Sequence, residues 1–412
     1  MAETLISPGV FLKENDMTQL TQGPVVAGAA LLGPTVTGPV NIPTQITSYS
    51  QYKAIFGAAF VSGGTSQEYL TSMAALNYFE QGGDSLLVTR VVSGTYTPAT
   101  ASISAVGGAP SAFDIETLSY GNVMNNAGQT GSNGLLSTGS SSNIRWEIIS
   151  SDSGSVLFSL IIRRGDDYEN SKTVLESWTN MSLDPNQPNY VSYIIGDQTQ
   201  TVTTDEFGNS YLQYSGSYSN KSKYIRIKSV NRPTPNYFDM SGTVNSAYTA
   251  SLPALGSGST NGQFGGASGP IWGCYGSAAL NLYESVPNTT STSATTTTNI
   301  QGVFPTSYTT AISLLSNQDA YDFSVIYAPG LTMVNASSTI NSIVSLAQTR
   351  GDSIAVVDTV GYGQSMTAAK TQAQSYDNSY AATYWPWVQL RSRETGKLNF
   401  VPPSTLIPAI YE

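Results

Sequence analysis

Two Gly-Asp-Ser blocks, "GDSLL" at 83–87 and "GDSIA" at 351–355, place Ser85 and Ser353 where a hydrolase of the Gly-Asp-Ser-Leu type carries its nucleophile. A serine hydroxyl attacks only when a neighbouring base takes its proton, and in that chemistry the base is histidine. The chain has no histidine. Each block stands before an apolar, β-branched run, "LLVTRVV" and "IAVVDTV", and so reads as a turn leading into a buried strand. "GYGQSM" at 361–366 lies between strand-like and helix-like sequence, as a dinucleotide-binding turn would. Met366 holds the third glycine position and no acidic ribose partner follows, which leaves a plain strand-to-helix turn. Asp166 and Asp167 in "RRGDDYEN" are paired carboxylates capable of acid–base work without histidine, but between two β segments they read as a solvated turn.

The missing histidine also removes Cys-His catalysis, the HExxH metalloproteases and histidine-ligated zinc. With Cys274 the only cysteine, neither an internal disulfide nor a cysteine-rich zinc site can form. The sequence therefore predicts a protein that is not an enzyme and has no catalytic site, cofactor or metal. Against 17 basic residues stand 27 acidic ones, a net charge of −10, which argues against a nucleic-acid partner. The densest basic stretch, "KSKYIRIK" at 221–228, alternates Tyr224, Arg226 and Lys228 with Ile225 and Ile227, the pattern of a half-exposed strand. No apolar run approaches the roughly 20 residues of a membrane span, and "VVAGAALLG" at 25–33 lacks a basic flank. The expectation is a protein made and kept in a cytoplasm, or exported by a route other than secretion, without membrane insertion.

Only 11% of the residues are charged, against roughly 25% in an average soluble domain, and Ser, Thr, Asn and Gln take their place. Such a surface tolerates packing against copies of itself. Among 412 residues, 40% of them hydrophobic, there is material for several cores. An extended segment, "LISPGVFLKEND", comes first and has no hairpin partner after it; "TQLTQGP" follows as a tether. Residues 23–95 then give Gly- and Pro-punctuated strands, a helix in "SQEYLTSMAALNYFEQGG" and the strand "SLLVTRVV".

From about 96 to 302 the sequence turns Ser-, Thr-, Gly- and Asn-rich. It carries short strands, "IRWEIISS", "VLFSLIIRR", "NYVSYIIGD" and "KYIRIKSV", with one helix-like piece, "TVLESWTNMSL". "NTTSTSATTTTN" at 288–299 reads as a return linker. From 303 apolar strands alternate with amphipathic helices: "DFSVIYAPG", "SSTINSIVSLAQTR", "SIAVVDTV", "SMTAAKTQAQSY" and the strand "SYAATYWPWVQL". The predicted fold is a multidomain one: an α/β base domain with parallel βαβ units, plus inserted β-rich protruding lobes. The predicted divisions are an arm over 1–22, a discontinuous α/β domain from 23–95 and 303–412, one lobe over 96–200 and a second over 201–302.

Six blocks resemble, in order, the contractile phage tail sheath family. They are "SPGVFLKEND", "AALLGPTVTGPVNIPTQITSYSQYKAIFG", "ALNYFEQGGDSLLVTRVV", "ESWTNMSLDPNQPNYVSYIIGD", "DFSVIYAPG" and "YWPWVQLRSRETGKLNFVPPS". The resemblance implies a structural polymer in which hexameric rings stack around a tail tube and shorten to drive the tube through a host envelope. It implies other sheath subunits, the tube protein, and baseplate and tail terminator proteins as partners. It also implies a place in the virion tail after assembly in the host cytoplasm. In the family the N-terminal arm adds as a strand to a neighbouring subunit, which here falls on Ser7, Pro8, Gly9, Val10, Phe11, Leu12, Lys13 and Glu14. Family members usually continue past "VPPS" into a C-terminal inner domain with the acceptor strands, whereas this sequence stops at "LIPAIYE"; the expectation is that the acceptor lies beyond Glu412. Two other readings stay open. One is the sheath of a phage-related injection system or bacteriocin particle. The other is a carbohydrate-binding adhesin or enzyme using Trp272, Tyr275, Trp385 and Trp387.

Overall fold

The computed structural model describes residues 24–62, 65–126, 133–239, 241–269, 301 and 303–411. Its first part holds strands β1 (Val25–Gly33) and β2 (Thr44–Ile46), helix α1 (Tyr49–Phe56), the hairpin β3 (Ala59–Ser62) and β4 (Thr65–Glu68), helix α2 (Leu70–Glu80) and strand β5 (Leu86–Arg90). The last five residues of β1 are all buried, so it is covered on both faces and shows no polar–apolar alternation. Helix α1 starts at Ser48, whose side chain accepts the Gln51 N–H, and stops at Gly57. Helix α2 is buried nearly all round and begins at Leu70, four residues later than its sequence suggests. "TSQE" is instead drawn into β4 by pairing with β3, and the Glu68 carboxylate is held inside by the Ser72 and Ser392 hydroxyls.

The middle of the chain forms β6 (Pro98–Ala105), β7 (Gly108–Tyr120), β8 (Ile144–Asp152), β9 (Leu157–Arg164), β10 (Val174–Met181), α3 (Val191–Ile195), β11 (Thr199–Thr204), β12 (Ser210–Ser215) and β13 (Ile225–Val230). Two antiparallel sheets, β13-β7-β6 and β10-β9-β8, share one core. The Phe113 and Phe158 rings meet there at 5.5 Å. Two expectations are corrected. "TVLESWTNMSL" is the edge strand β10 rather than a helix; its Glu176 carboxylate accepts the Lys223 N–H at 2.8 Å and the Ser222 hydroxyl at 2.6 Å, contacts that need an extended backbone. "NYVSYIIGD" contains the short helix α3 rather than a strand, because Val191 and Ile195, four apart, bury a single face.

The remaining elements are α4 (Thr309–Leu315), β14 (Tyr321–Thr332), α5 (Ser337–Arg350), β15 (Ile354–Asp358), α6 (Met366–Gln374), β16 (Ala381–Tyr384), β17 (Val388–Arg391), β18 (Leu398–Val401) and α7 (Pro408–Tyr411). A six-stranded sheet in the order β16-β15-β14-β1-β5-β2 joins both ends of the described chain. Every pairing in it is parallel except that of β2. Alternate side chains of β1 go to opposite faces: Ala30 and Leu32 pack with Ile312 of α4 and Ile343 of α5, while Ala29 and Leu31 pack with Phe56 of α1 and Ala74 of α2. "SYAATYWPWVQL" is two strands, not one; Pro386 has no N–H to give a ladder, and the chain leaves the sheet there. The molecule is thus mixed α/β, with one largely parallel sheet and several separate antiparallel ones.

Candidate functional site

In an open parallel sheet, ligands bind beyond the carboxyl ends of the strands, at the point where successive connections diverge. That point lies between β1 and β14, since the chain runs from β1 outward to β5 on one side and from β14 to β15 and β16 on the other. Ser85 and Ser353 stand at the amino ends of β5 and β15, at the opposite end of the sheet. Asp358 ends β15 and is fully buried at the carboxyl end.

The chain fills this crevice with its own segments. A tight turn at Pro403–Thr405 packs on β14, β15 and α2. Its Ser404 N–H donates to Asp358 Oδ1 at 3.2 Å and its hydroxyl to Oδ2 at 2.6 Å, with the Gly330 N–H at 3.5 Å from the same Oδ2. Burial nevertheless pushes the Asp358 carboxyl up to about 6, because three hydrogen bonds offset only part of the lost hydration. The amino end of α2 offers the geometry of an anion site. Gln301 closes it: Oε1 accepts the Leu70 N–H at 2.7 Å while Nε2 donates to the Pro329 carbonyl at 3.0 Å. Beside it the Ser93 hydroxyl accepts the Phe304 N–H at 2.8 Å and meets the Ser307 hydroxyl at 2.8 Å. An anionic ligand would have to displace Gln301, so the crevice acts as a brace between distant parts of the chain. "GYGQSM" makes the turn from β15 to α6, with Ser365 capping the helix and the Tyr362 ring tilted against Phe400 at 4.3 Å.

The acidic pair in "RRGDDYEN" divides. Asp166 is half-buried and pairs with Arg164, whereas Asp167 is buried, which corrects the solvated-turn reading. Asp167 accepts from Arg163 Nε at 2.8 Å, from Arg163 Nη2 at 3.0 Å and from the Thr173 N–H at 2.9 Å, with Arg145 Nη1 at 3.4 Å. Glu147 takes Arg163 Nη1 at 2.7 Å and Lys172 at 2.8 Å. The cluster pins β8 to β9. The exposed-face reading of Arg226 is corrected as well. It is buried between Ile225 and Ile227 and paired with Glu116 of β7, so only Lys228 follows the alternation to the outside.

The predicted linking residues Ser7–Glu14 lie outside the described residues, as do Trp272, Cys274 and Tyr275. Trp385 is exposed beside the sheet edge at β16; Trp387 is tied inward by donating its indole N–H to the Val360 carbonyl at 2.9 Å. Sequence reading missed the most exposed aromatic among the described residues, Phe207, at 84% relative accessibility. It sits at the tip of the β11–β12 hairpin, and the available signal was the turn sequence "DEFGN" between two alternating strands.

No family model matches the chain, and no curated protein matches it. Among solved structures it is similar to the sheath tail protein Lin1278 from Listeria innocua, with 11% identity, 94% of this chain and 56% of that chain covered, and a TM-score of 0.43. It is also similar to the sheath tail protein DSY3957 from Desulfitobacterium hafniense, with 10% identity, 97% and 60% coverage, and a TM-score of 0.35. The chain spans less than two thirds of the length of either structure.

Proposed function

We propose that this chain is a structural subunit of a contractile tail sheath. It would polymerise as stacked hexameric rings around a tail tube and, through changes at subunit contacts, drive the tube through a host envelope. The observation that carries the reading is the set of six sequence blocks, in family order from residue 7 to residue 404. The filled crevice supports it, since the place where an α/β enzyme would hold its ligand is occupied by Gln301 and Ser404. So does the sparse charge, which lowers the desolvation cost of covering large areas with other copies.

In this proposal residues 23–95 and 303–412 form the body, 96–200 and 201–302 are the inserted parts carried on it and joined through the pairing of β7 with β13 and their common core, and Ser7–Glu14 pairs with a neighbour's sheet. The tube, baseplate and terminator proteins are its further partners, and contraction draws on the difference in contacts between two global arrangements rather than on a cofactor. The sheath of an injection system or bacteriocin particle would use the same contacts. An antibody raised against the chain, applied to particles from the source cell and viewed by immunogold microscopy, tests the reading. Label along the full length of extended and contracted tails is expected; label confined to capsids, baseplates or cell surfaces refutes it.

A further inference from the structure

The β11–β12 hairpin ends in a turn built to hold an aromatic ring in solvent. Asp205 Oδ1 accepts the Phe207 N–H at 2.9 Å and the Asn209 N–H at 2.7 Å, Oδ2 accepts from the Asn209 side chain at 3.0 Å, and the Asp205 carbonyl accepts the Gly208 N–H at 3.1 Å. The hairpin is itself fixed to the body: the Ser210 hydroxyl meets that of Ser313 on α4 at 2.8 Å, and Val202 and Leu212 pack on the main core. Phe207 therefore projects from a preordered support, and burying it would cost little conformational entropy.

A groove of about 240 Å³ lies at the other end of the hairpin, floored by the half-buried side chains of Pro39, Ile42, Ile55 and Leu118, with exposed Lys223 among its lining. It is mostly apolar and large enough for one aromatic ring. Gln198, just before β11, and Gln200, its second residue, line the same groove. At about 3.3 Å per strand residue, Phe207 lies roughly 15 Å or more from them along a paired hairpin that cannot fold back. The ring cannot enter its own groove.

We infer that Phe207 of one copy docks in the Pro39–Ile42–Ile55–Leu118 groove of a second copy, with Glu206 beside it facing Lys223 of that copy. The charges match in sign: the tip carries Asp205 and exposed Glu206, and the groove carries Lys223. A knob and a hole at different places on the same chain make a head-to-tail contact, which closes into a ring or runs on as a helical array according to the rotation between copies. The inference deepens the sheath reading and rests on its self-association.

The test uses the full chain with Cys274→Ser. One variant carries Glu206→Cys, which keeps Phe207; a second carries Lys223→Cys; the mixture is treated with a short bis-maleimide. Both sites are exposed, so folding is not at risk. A heterodimer band about tenfold stronger than that from a control pair with Val61→Cys in place of Lys223→Cys is expected. Adding Phe207→Ala to the first variant should abolish the excess. Equal bands, or a band indifferent to Phe207→Ala, overturn the inference. Tail labelling by the antibody without this cross-link would leave the sheath reading standing and remove only the docking contact.

Discussion

Asp358 gives the sharpest handle on the crevice brace. Its carboxyl sits at about 6 in the folded protein against an ordinary 3.8, with burial as the dominant cause. At about 1.4 kcal/mol per pH unit this gap corresponds to about 3 kcal/mol. The sign follows from which state holds the proton more tightly. Below pH 3.8 the carboxyl is protonated in both states and costs nothing. As pH rises toward 6 the unfolded chain ionises first, and above 6 the folded protein carries a buried carboxylate, so the whole 3 kcal/mol has been lost. Asp358→Asn removes the titration while keeping an acceptor for the Ser404 N–H and a donor toward its hydroxyl oxygen. Urea unfolding of both proteins, followed by tryptophan fluorescence between pH 4 and 7, reads the difference. Trp387 reports locally, being bonded to Val360 two residues past Asp358. Wild type minus variant should fall by about 2.4 kcal/mol across that range, the first ~0.6 kcal/mol having been lost below pH 4. A difference that stays flat, or that rises with pH, refutes the reasoning.

Asp167→Ala should destabilise the protein by about 3–5 kcal/mol in urea unfolding, because it takes from the buried Arg145 its carboxylate and from Arg163 the partner of Nε and Nη2, leaving Arg163 only Glu147 and Glu169. Gln301→Ala should cost about 1–3 kcal/mol by removing partners from the Leu70 N–H and the Pro329 carbonyl, with faster hydrogen exchange at the first turn of α2 as its local sign. On the proposed pairing of Ser7–Glu14 with a neighbour's sheet, Leu12→Pro should abolish polymerisation, read by light scattering and negative-stain microscopy, and leave the circular dichroism spectrum unchanged, since proline has no N–H to donate and restricts the residue before it.

Helix α5 was legible from its sequence because Ile340, Ile343, Val344 and Ala347 recur at helical spacing and Gly351, at φ 75°, ends it in the left-handed conformation. The inner strands β14 and β15 were legible as apolar runs. Strand β10 was not, because distant partners decide it, Ser222 and Lys223 holding Glu176; helix α3 was not, because five residues are too few for the spacing of Val191 and Ile195 to tell helix from strand. The burial of Asp167 and Arg226 escaped for the same reason as β10, since polarity marks a residue as exposed until its counter-charge is known. Gln301 was invisible in principle; a lone glutamine after a Thr-rich tract carries no sign that it will cap a helix whose first residue is Leu70.

The shared sheet also sets an order of events during synthesis. Strand β1 is flanked by β5 within the first 90 residues, but its other neighbour, β14, begins at Tyr321, roughly 290 residues after β1 ends. At about 5–20 residues per second, one edge of β1 waits on the order of 15–60 s for its partner. The two antiparallel sheets around Phe113 and Phe158 need nothing beyond residue 269 among their described contacts, and they can form in that interval. A ribosome-bound chain would thus carry folded middle modules above an open α/β edge, and that edge is where a holding chaperone would be needed.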